Sequence, residues 1–279
     1  MTAARLLTRA LGLILWSFRD RIKKIPGVAL LQRVVVSGAL DGSEFDHLVD
    51  AGPAKGITFH IRMPEDKGIW TGAYEIDFAS RLAAAVRPGC VAYDIGSWHG
   101  FFAGIMAAQG ASQVHVFEPL PQNAERVARL VALNPSKSIK LHACAVSDSD
   151  TEMDLMIMPE TSMAKLETSE FQAGNTSANR VRVRVRGIDS VIASGEAPPP
   201  ALMKIDVEGA ELMVLKGAMA TLRAHKPVIF AEIHSTQLLA QCGALLGAEG
   251  YTIEHLDSDV EMARSKDVFQ IMASPARAP

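Results

Sequence analysis

The sequence predicts an α/β protein with a doubly wound parallel sheet, an insertion and an N-terminal helical appendage. The first observation behind this prediction is that short apolar strands alternate with amphipathic helices from Tyr74 onwards. Strands joined by helices of roughly 10–15 residues form βαβ units and therefore a parallel sheet. The second observation is that several of these strands end in a carboxylate, at the edge where such sheets bind ligands.

The composition limits what kind of protein this is. With 48% hydrophobic and 21% charged residues over 279 positions, the chain is globular rather than disordered or collagen-like. A net charge of −3 argues against nucleic acid as a partner. The three cysteines are far apart and form no Cys-x-x-Cys pair, which is typical of free thiols in a reducing, cytoplasmic compartment.

Residues 1–33 differ from the rest because they carry seven Lys or Arg side chains against a single Asp. Apolar residues recur there at three- and four-residue steps, which predicts a helix. The apolar stretch 11–18 is much shorter than the roughly 20 residues of a membrane span. Charged residues follow it where a signal peptide would have a small-residue cleavage site. We favour a helix that packs on the main domain; the alternative is that residues 1–25 lie peripherally on an anionic membrane surface.

The rest of the chain is expected to be a single domain, residues 34–279, with a core of about 72–256. Turn residues interrupt 34–75, which predicts a short strand pair that leads into the core. The periodicity then predicts helix 75–86, strand 90–95, helix 101–109, strand 113–118, helix 121–133 and strand 139–145. After the insertion it predicts strand 202–207, helix 210–224, strand 228–233, helix 236–246, strand 251–255, and a final strand with a tail in 257–279.

The insertion, at about 149–190, contains a run in which valine and arginine alternate from 181 to 186. Alternation with a period of two predicts a strand with valine facing the core and arginine facing outward. We interpret the arginines as the solvated face of an edge strand that charge protects from pairing. The alternative is a basic strip beside an acidic or phosphorylated substrate.

The first strand of the core and the turn after it favour a ligand without phosphates. The strand ends at Asp94, and the following turn contains Gly96 and Gly100, which let a ligand approach the backbone. Trp98 interrupts the glycine pattern of pyrophosphate sites, which makes a nicotinamide-dependent reductase a poor interpretation. Glu118 ends the next strand, where open α/β folds place the carboxylate that binds a ribose. A nucleoside with a cationic group, such as S-adenosylmethionine, fits these features.

A second group of polar residues follows two later strands. Asp206 and Glu208 end one strand, and Glu232 and His234 end the next. Because the carboxyl ends of parallel strands lie at one edge of the sheet, we expect three carboxylates and one imidazole to meet there. Glu211 is equally well explained as a first-turn acid of the following helix. Such a cluster is typical of acid–base or metal chemistry.

The motifs together resemble those of the FkbM-type methyltransferases, from about Gly72 to His234 and in the same order. The matching segments are 94–100, Phe117-Glu118-Pro119, 145–148, the block from Lys204 to Glu211, Val214-Leu215-Lys216-Gly217 and Glu232. The block from Lys204 to Glu211 is the most specific of these. The sequence departs from the family at Ser97-Trp98-His99, where Ala-Asn-x is common, and Trp98 or His99 is then expected to reach over the site.

The resemblance implies a Rossmann-like class I S-adenosylmethionine-dependent O-methyltransferase, a transferase that often acts on sugar hydroxyls of glycosides, glycolipids or natural products. By position in the shared motifs, the resemblance also implies which residues of this chain bind the cofactor. These are Asp94, Gly96, Ser97 and Gly100 at the methionine end, Glu118 with Pro119 at the ribose, and Ala145, Val146 and Asp148 beside the adenine.

The mechanism expected from this set begins with removal of the acceptor's hydroxyl proton. We assign that role to His234 or Asp206, with Glu208 and Glu232 as supports. A variant places a divalent cation, Mg²⁺ or Mn²⁺, on Asp206, Glu232 and His234. The alternative from another functional class is a catalytically inactive methyltransferase-fold module that binds a partner or a membrane. The acceptor's identity and the oligomeric state have no signal in the sequence.

Overall fold

The computed structural model describes residues 42–157, 164–166, 180–257 and 260–276. The strands are β1 (Glu44–Leu48), β2 (Thr58–Arg62), β3 (Val91–Ile95), β4 (Gln113–Phe117), β5 (Ile139–His142), β6 (Ala145–Val146), β7 (Thr151–Ile157), β8 (Ala164–Leu166), β9 (Arg180–Arg186), β10 (Leu202–Ile205), β11 (Val228–Ile233), β12 (Tyr251–His255) and β13 (Phe269–Pro275). The helices are α1 (Lys67–Thr71), α2 (Ile76–Ala85), α3 (Phe101–Ala108), α4 (Pro121–Leu133), α5 (Ile188–Ala193), α6 (Glu211–Lys216), α7 (Met219–His225), α8 (Thr236–Ala248) and α9 (Val260–Lys266).

Seven of the strands form a central sheet in the order β5-β4-β3-β10-β11-β13-β12. β13 runs antiparallel to both of its neighbours, and the other pairs are parallel. The chain winds outward from β3 to β5 and then returns to β10 on the other side of β3. The carboxyl ends of β3 and β10 therefore flank the point where the winding reverses, which is where doubly wound sheets bind ligands. The predicted doubly wound, Rossmann-like fold is confirmed.

Several element ends shift by one or two residues, among them the strand predicted at 202–207, which ends at Ile205, and three differences are larger. The strand expected at 139–145 is interrupted after His142, and β6 belongs to a different sheet. The helix expected at 210–224 is divided into α6 and α7 at Gly217, where a Cβ would lie 2.0 Å from the carbonyl oxygen of Ser147. The last segment contains α9 as well as the expected strand β13. Contacts distant in sequence cause the first two differences, so local periodicity did not show them.

The insertion contributes to a four-stranded sheet in the order β6-β9-β7-β8. β9 lies between β6 and β7, but β6 pairs only with Val185 and Arg186. The predicted edge position of the Val–Arg strand is therefore wrong at that end and holds at Arg182 and Arg184. Val183 and Val185 face the core as expected, and Arg182 and Arg184 are exposed. The prediction that all three arginines face outward is wrong for Arg186. It is buried, with Nε 3.0 Å from Asp150 Oδ2 and Nη1 2.6 Å from Glu196 Oε1.

The predicted lead-in strand pair is present as the antiparallel strands β1 and β2. The Asn134 side chain at the end of α4 fixes β2, because its Oδ1 accepts from the Thr58 amide at 2.9 Å and its Nδ2 donates to the Thr58 carbonyl at 2.8 Å. Apolar residues of β2, α2, α3 and α4 form the core on this side of the sheet. The hairpin therefore covers α4.

The other expectations about the whole chain have mixed outcomes. The three cysteines are free thiols. No helix in the described ranges is long and apolar enough to cross a bilayer. The basic segment 1–33, and with it the boundary at residue 34, lies outside the described residues, so the domain division remains a prediction.

Candidate active site

The glycine turn after β3 is shaped by its contact with the end of β10. Gly96 has φ of 74°, and a Cβ there would lie 1.7 Å from the carbonyl oxygen of Asp206. Gly100 also has a positive φ, 84°, at the start of α3. The sequence explained these glycines by the close approach of a ligand. The structure adds that Gly96 is needed because the turn packs directly on the neighbouring strand end.

Glu118 lies buried at the carboxyl end of β4, beside this turn. Its Oε2 accepts from the Trp98 amide at 2.8 Å, and its Oε1 accepts from the Leu120 amide at 3.0 Å and from Asn123 Nδ2 at 3.4 Å. Burial raises the pKa of Glu118 to about 7, although these hydrogen bonds oppose the shift. A carboxylate has about four acceptor positions, so Glu118 can still accept a hydrogen bond from a ligand hydroxyl.

The segment 145–148 borders the same edge of the sheet as Glu118. The Glu118 amide donates to the His142 carbonyl at 3.2 Å, which ties the end of β4 to the end of β5. Ala145 and Val146 follow directly and are buried, while Asp148 is exposed. The positions that the resemblance assigns to the ribose and the adenine therefore lie on neighbouring strand ends.

A buried lysine links the first strand to the later acidic strand end. Lys204 Nζ lies 3.0 Å from Asp206 Oδ2, 3.1 Å from the Gly96 carbonyl oxygen and 4.0 Å from Asp94 Oδ1. Burial by itself would lower the pKa of Lys204, but the carboxylates of Asp206 and Asp94 outweigh it and raise that pKa. Asp94 is completely buried, its Oδ2 accepts from the Ala103 amide at 2.9 Å, and burial raises its pKa to about 6.

The structure brings together the four polar residues predicted at the ends of β10 and β11. His234 Nε2 lies 3.4 Å from Glu208 Oε2, 3.5 Å from Glu232 Oε1 and 3.8 Å from Asp206 Oδ1. Its Nδ1 lies 2.8 Å from Oε1 of Glu211, which also accepts from the Gly209 amide at 2.9 Å. Glu211 is thus a first-turn acid of α6 and, in addition, the partner of His234. We call these five residues the strand-end cluster.

The charges in the strand-end cluster favour a cation at its centre. Burial by itself would lower the pKa of His234, but the hydrogen bonds to Glu211 and Glu232 and the charge of Asp206 raise it well above its usual value. Burial raises the pKa of Glu208 to about 7. These contacts therefore favour the protonated imidazole when no other cation is present. One ligand atom each from Asp206, Glu232 and His234 lies within 4.8 Å of the others, which is also a suitable arrangement for a metal ion.

Two residues of this region were missed by the sequence reasoning. Gln270 Nε2 on β13 lies 3.3 Å from Glu75 Oε2 and 3.2 Å from Glu232 Oε2, so it bridges the two carboxylates. Burial, together with the charge of Glu232, raises the pKa of Glu75 to about 7. Glu75 has φ of 41° immediately before α2. Only the antiparallel pairing of β13 with β11 places Gln270 here, and the local sequence has no signal for that pairing.

The net negative charge around the strand-end cluster fits the cationic S-adenosylmethionine, and it also fits a divalent cation. Asp206, Glu208, Glu211, Glu232 and Glu75 outnumber the cations Lys204 and His234. A cationic sulfonium or a metal ion beside them would offset this excess of carboxylates, whereas an anionic cofactor would be repelled. The buried Glu118 supplies the acceptor for a ribose hydroxyl.

Known proteins resemble this chain to different extents. Residues 89–267 match the family described as Methyltransferase FkbM domain. The hexuronic acid methyltransferase AglP of Haloferax volcanii is 30% identical over 162 residues, which are 58% of this chain and 63% of AglP. The match therefore spans less than two thirds of AglP. The 31-O-demethyl-FK506 methyltransferase FkbM of Streptomyces tacrolimicus is 25% identical over 228 residues, which are 72% of this chain and 87% of that protein.

Among solved structures, methyltransferase FkbM from Methylobacillus flagellatus has a TM-score of 0.47 at 18% identity, and the match covers 74% of this chain and 55% of that one. The family match extends from the residue before Cys90 to Asp267, and so includes the glycine turn, Glu118 and the whole strand-end cluster. The chain belongs to the FkbM methyltransferase domain family.

Proposed function

We propose that this protein transfers the methyl group of S-adenosylmethionine to a hydroxyl oxygen, on a sugar of a glycoside, glycolipid or natural product. The observation that carries the proposal is the strand-end cluster, which lies against the same turn whose Trp98 amide holds Glu118. The two relatives, a hexuronic acid methyltransferase and a 31-O-demethyl-FK506 methyltransferase, support by their names a sugar and an oxygen acceptor, respectively.

The cofactor supplies an electrophilic methyl group when it is bound. In this proposal Glu118, with Pro119 after it, accepts hydrogen bonds from the ribose, and the segment 145–148 borders the adenine. Asp94, Gly96, Ser97 and Gly100 frame the methionine end. Binding by several separate strand ends orients the acceptor oxygen and the methyl group, and orientation of this kind supplies much of the acceleration in methyl transfer.

The acceptor hydroxyl must lose its proton at or near the transition state. Asp206 takes that proton in the metal-free form, because the raised pKa of His234 keeps the imidazole protonated. Glu208 and Glu232 then stabilise the protonated imidazole, with Nε2 distances of 3.4 and 3.5 Å. His234 becomes available as a base or as a ligand only when its proton is displaced.

A divalent cation on Asp206, Glu232 and His234 is the second form of the proposal. Such an ion would lower the pKa of a coordinated hydroxyl. The supporting observations are the 4.8 Å grouping of the three ligand atoms and the excess of carboxylates around it. Binding of the ion would release the proton of His234, since only the neutral imidazole is a ligand.

Activity and cofactor binding together test the proposal. We would incubate the purified protein with S-adenosylmethionine and methyl glycosides of neutral hexoses and of hexuronic acids, and follow the products by mass spectrometry. Titration calorimetry should show saturable binding of S-adenosylmethionine to the wild type and a loss of at least about tenfold in affinity for Glu118→Gln. The matched control is Glu152→Gln, a change in an exposed ion pair with Arg182. Equal affinity of wild type and Glu118→Gln would contradict the ribose assignment.

The same titration distinguishes the alternative, a catalytically inactive module, which need not bind the cofactor.

Peripheral membrane contact through residues 1–25 is a separate proposal with its own experiment. Deletion of these residues should abolish binding to anionic vesicles and leave cofactor affinity unchanged if they are an anchor. An insoluble deletion variant would instead indicate that they pack on the domain.

A further inference from the structure

A pocket lies between the lead-in hairpin and α4, separate from the strand-end cluster. It has a volume of about 220 Å³ and is lined by residues of β2, α1 and α4, together with Asp66 and His99. It is smaller than the roughly 300–1,000 Å³ of pockets that hold drug-sized ligands. Its size therefore suits a ligand of about one six-membered ring.

The base of this pocket contains buried polar atoms without hydrogen-bond partners. The Asp66 side chain is fully buried, and its Oδ2 accepts from the Arg62 amide at 2.8 Å and from Arg126. Its Oδ1 has no hydrogen-bond partner among the described residues. Neither ring nitrogen of His99 has one in those residues either, and only 5% of His99 is exposed. Native proteins rarely leave such atoms unsatisfied, which indicates a ligand or water at this position.

The donors and acceptors at the base match a hydroxyl group. Burial lowers the pKa of His99 well below its usual value, so the ring is neutral, with one N–H donor and one acceptor. His99 Nε2 lies 3.7 Å from Asp66 Oδ1, so a single oxygen placed about 2.8 Å from both atoms contacts the two together. A hydroxyl can donate to Asp66 and accept from His99, whereas an ionised carboxylate or phosphate has no proton to donate to Asp66.

Part of the pocket wall is apolar and fits the carbon face of a sugar ring, because Phe59, Ile61, Ile69 and Leu130 line it. The rest of the wall is polar and is formed by His60, Arg62, Glu125, Arg126 and Arg129. These side chains offer further hydrogen-bonding groups to ring hydroxyls. One ordered water would satisfy the base but leave most of the volume unused, because a water molecule occupies about 30 Å³.

We propose that this pocket binds one sugar ring, with ring hydroxyls on Asp66 and His99. The pocket adjoins the cofactor region, because the Trp98 ring stacks on His99 at 3.8 Å while the Trp98 amide donates to Glu118 at 2.8 Å. Arg126, which holds Asp66, also lies 5.5 Å from the Trp98 ring. The sugar is then a non-reacting ring of the acceptor glycoconjugate, and this last identification rests on the proposed function.

Saturation-transfer NMR on the full-length protein without cofactor tests the pocket independently of activity. Methyl β-D-glucopyranoside is the probe, and methyl phosphate is the anionic control. We expect the glycoside to bind the wild type saturably, whereas saturable binding of methyl phosphate alone, on the arginines of the lining, would contradict a sugar site. His99→Phe should lower glycoside affinity at least about tenfold, and His99→Gln, which keeps one donor and one acceptor, should recover part of it.

Two further variants keep the test decisive if His99→Phe unfolds. Arg129→Trp places a large ring at a half-exposed position that lines the pocket, and it should also abolish binding. Glu152→Gln, in an exposed ion pair with Arg182, should leave glycoside binding unchanged. No binding to the wild type, or equal binding to wild type and Arg129→Trp, would overturn the pocket assignment. Glycoside binding without any methyl transfer would overturn the proposed function and leave the pocket standing.

Discussion

His234 Nδ1 lies 2.8 Å from Glu211 Oε1, and both side chains are almost completely buried. This contact fixes the orientation of the imidazole, so that Nε2 points at Asp206, Glu208 and Glu232. Partners that hold the second nitrogen of a functional histidine set its tautomer and its basicity. In the proposed mechanism Glu211 is therefore a positioning residue, which acts through His234.

The first prediction concerns Glu211→Gln. We expect kcat to fall about 10–100-fold, the range found when such partners are removed, while the affinity for S-adenosylmethionine stays unchanged. Steady-state kinetics and calorimetry measure the two effects. The matched control is Glu261→Gln at the exposed first turn of α9, which should change neither. Unaltered kcat in Glu211→Gln would show that the contact only stabilises the fold.

The second prediction concerns the divalent cation. If Asp206, Glu232 and His234 hold an ion, exhaustive chelation should lower turnover at least about tenfold, and added Mg²⁺ or Mn²⁺ should restore it. His234→Ala should weaken the activation by the metal, since it removes one of the three ligand atoms. Full activity after chelation would contradict the metal-dependent form of the proposal and support the metal-free form, in which Asp206 is the base.

The third prediction compares two glycines with positive φ. In Gly96→Ala the new Cβ would lie 1.7 Å from the Asp206 carbonyl oxygen, whereas in Gly195→Ala, at φ of 75°, it would meet open space. We expect Gly96→Ala to lower the free energy of unfolding by about 3 kcal/mol or more, from strain and overpacking. Gly195→Ala should cost only about 1–2 kcal/mol, from strain alone. Chemical denaturation measures both, and equal losses would contradict the close turn.

The fourth prediction concerns acid stability. His115 Nδ1 lies 2.9 Å from His142 Nε2 beneath the site. Burial, with the charges of neighbouring cations, lowers the pKa of both rings to about 4. Between pH 6.5 and about 4 these two histidines therefore bind more protons in the unfolded chain than in the folded protein, so their contribution to stability falls as the pH falls. The raised pKa values of Glu75, Asp94, Glu118 and Glu208 act in the opposite direction.

Thermal unfolding at a series of pH values measures this loss. His115→Gln should therefore lose less stability than the wild type as the pH falls through that window, and His225→Gln, at an exposed position on α7, should follow the wild type. An identical pH dependence in the wild type and His115→Gln would contradict the assignment.

Most residues of the candidate site could be placed from the sequence, because strand ends are predictable from periodicity. Helix 121–133 and strands 228–233 and 251–255 occur as expected, so Glu118, Glu232 and His234 take their predicted places. The positions that could not be placed depend on contacts distant in sequence. Gln270 arrives through the pairing of β13 with β11, and Arg186 is buried because β9 is flanked on both sides. No local pattern of residues encodes those neighbours.

His99 shows the same limit at a smaller scale. In the sequence it is only a departure from the glycine turn of the family, with an expected position over the cofactor. In the structure its ring lines the pocket against α4, because the lead-in hairpin closes that side. Its place depends on residues 59–66, which lie outside the family match at 89–267.

The crystal structure of the protein with bound S-adenosylmethionine tests the central claim most directly. The account predicts the ribose hydroxyls on Glu118 and the methyl group facing Asp206, Glu208, Glu232 and His234. A methyl group directed away from these residues, or a cofactor bound without contact to Glu118, would contradict it.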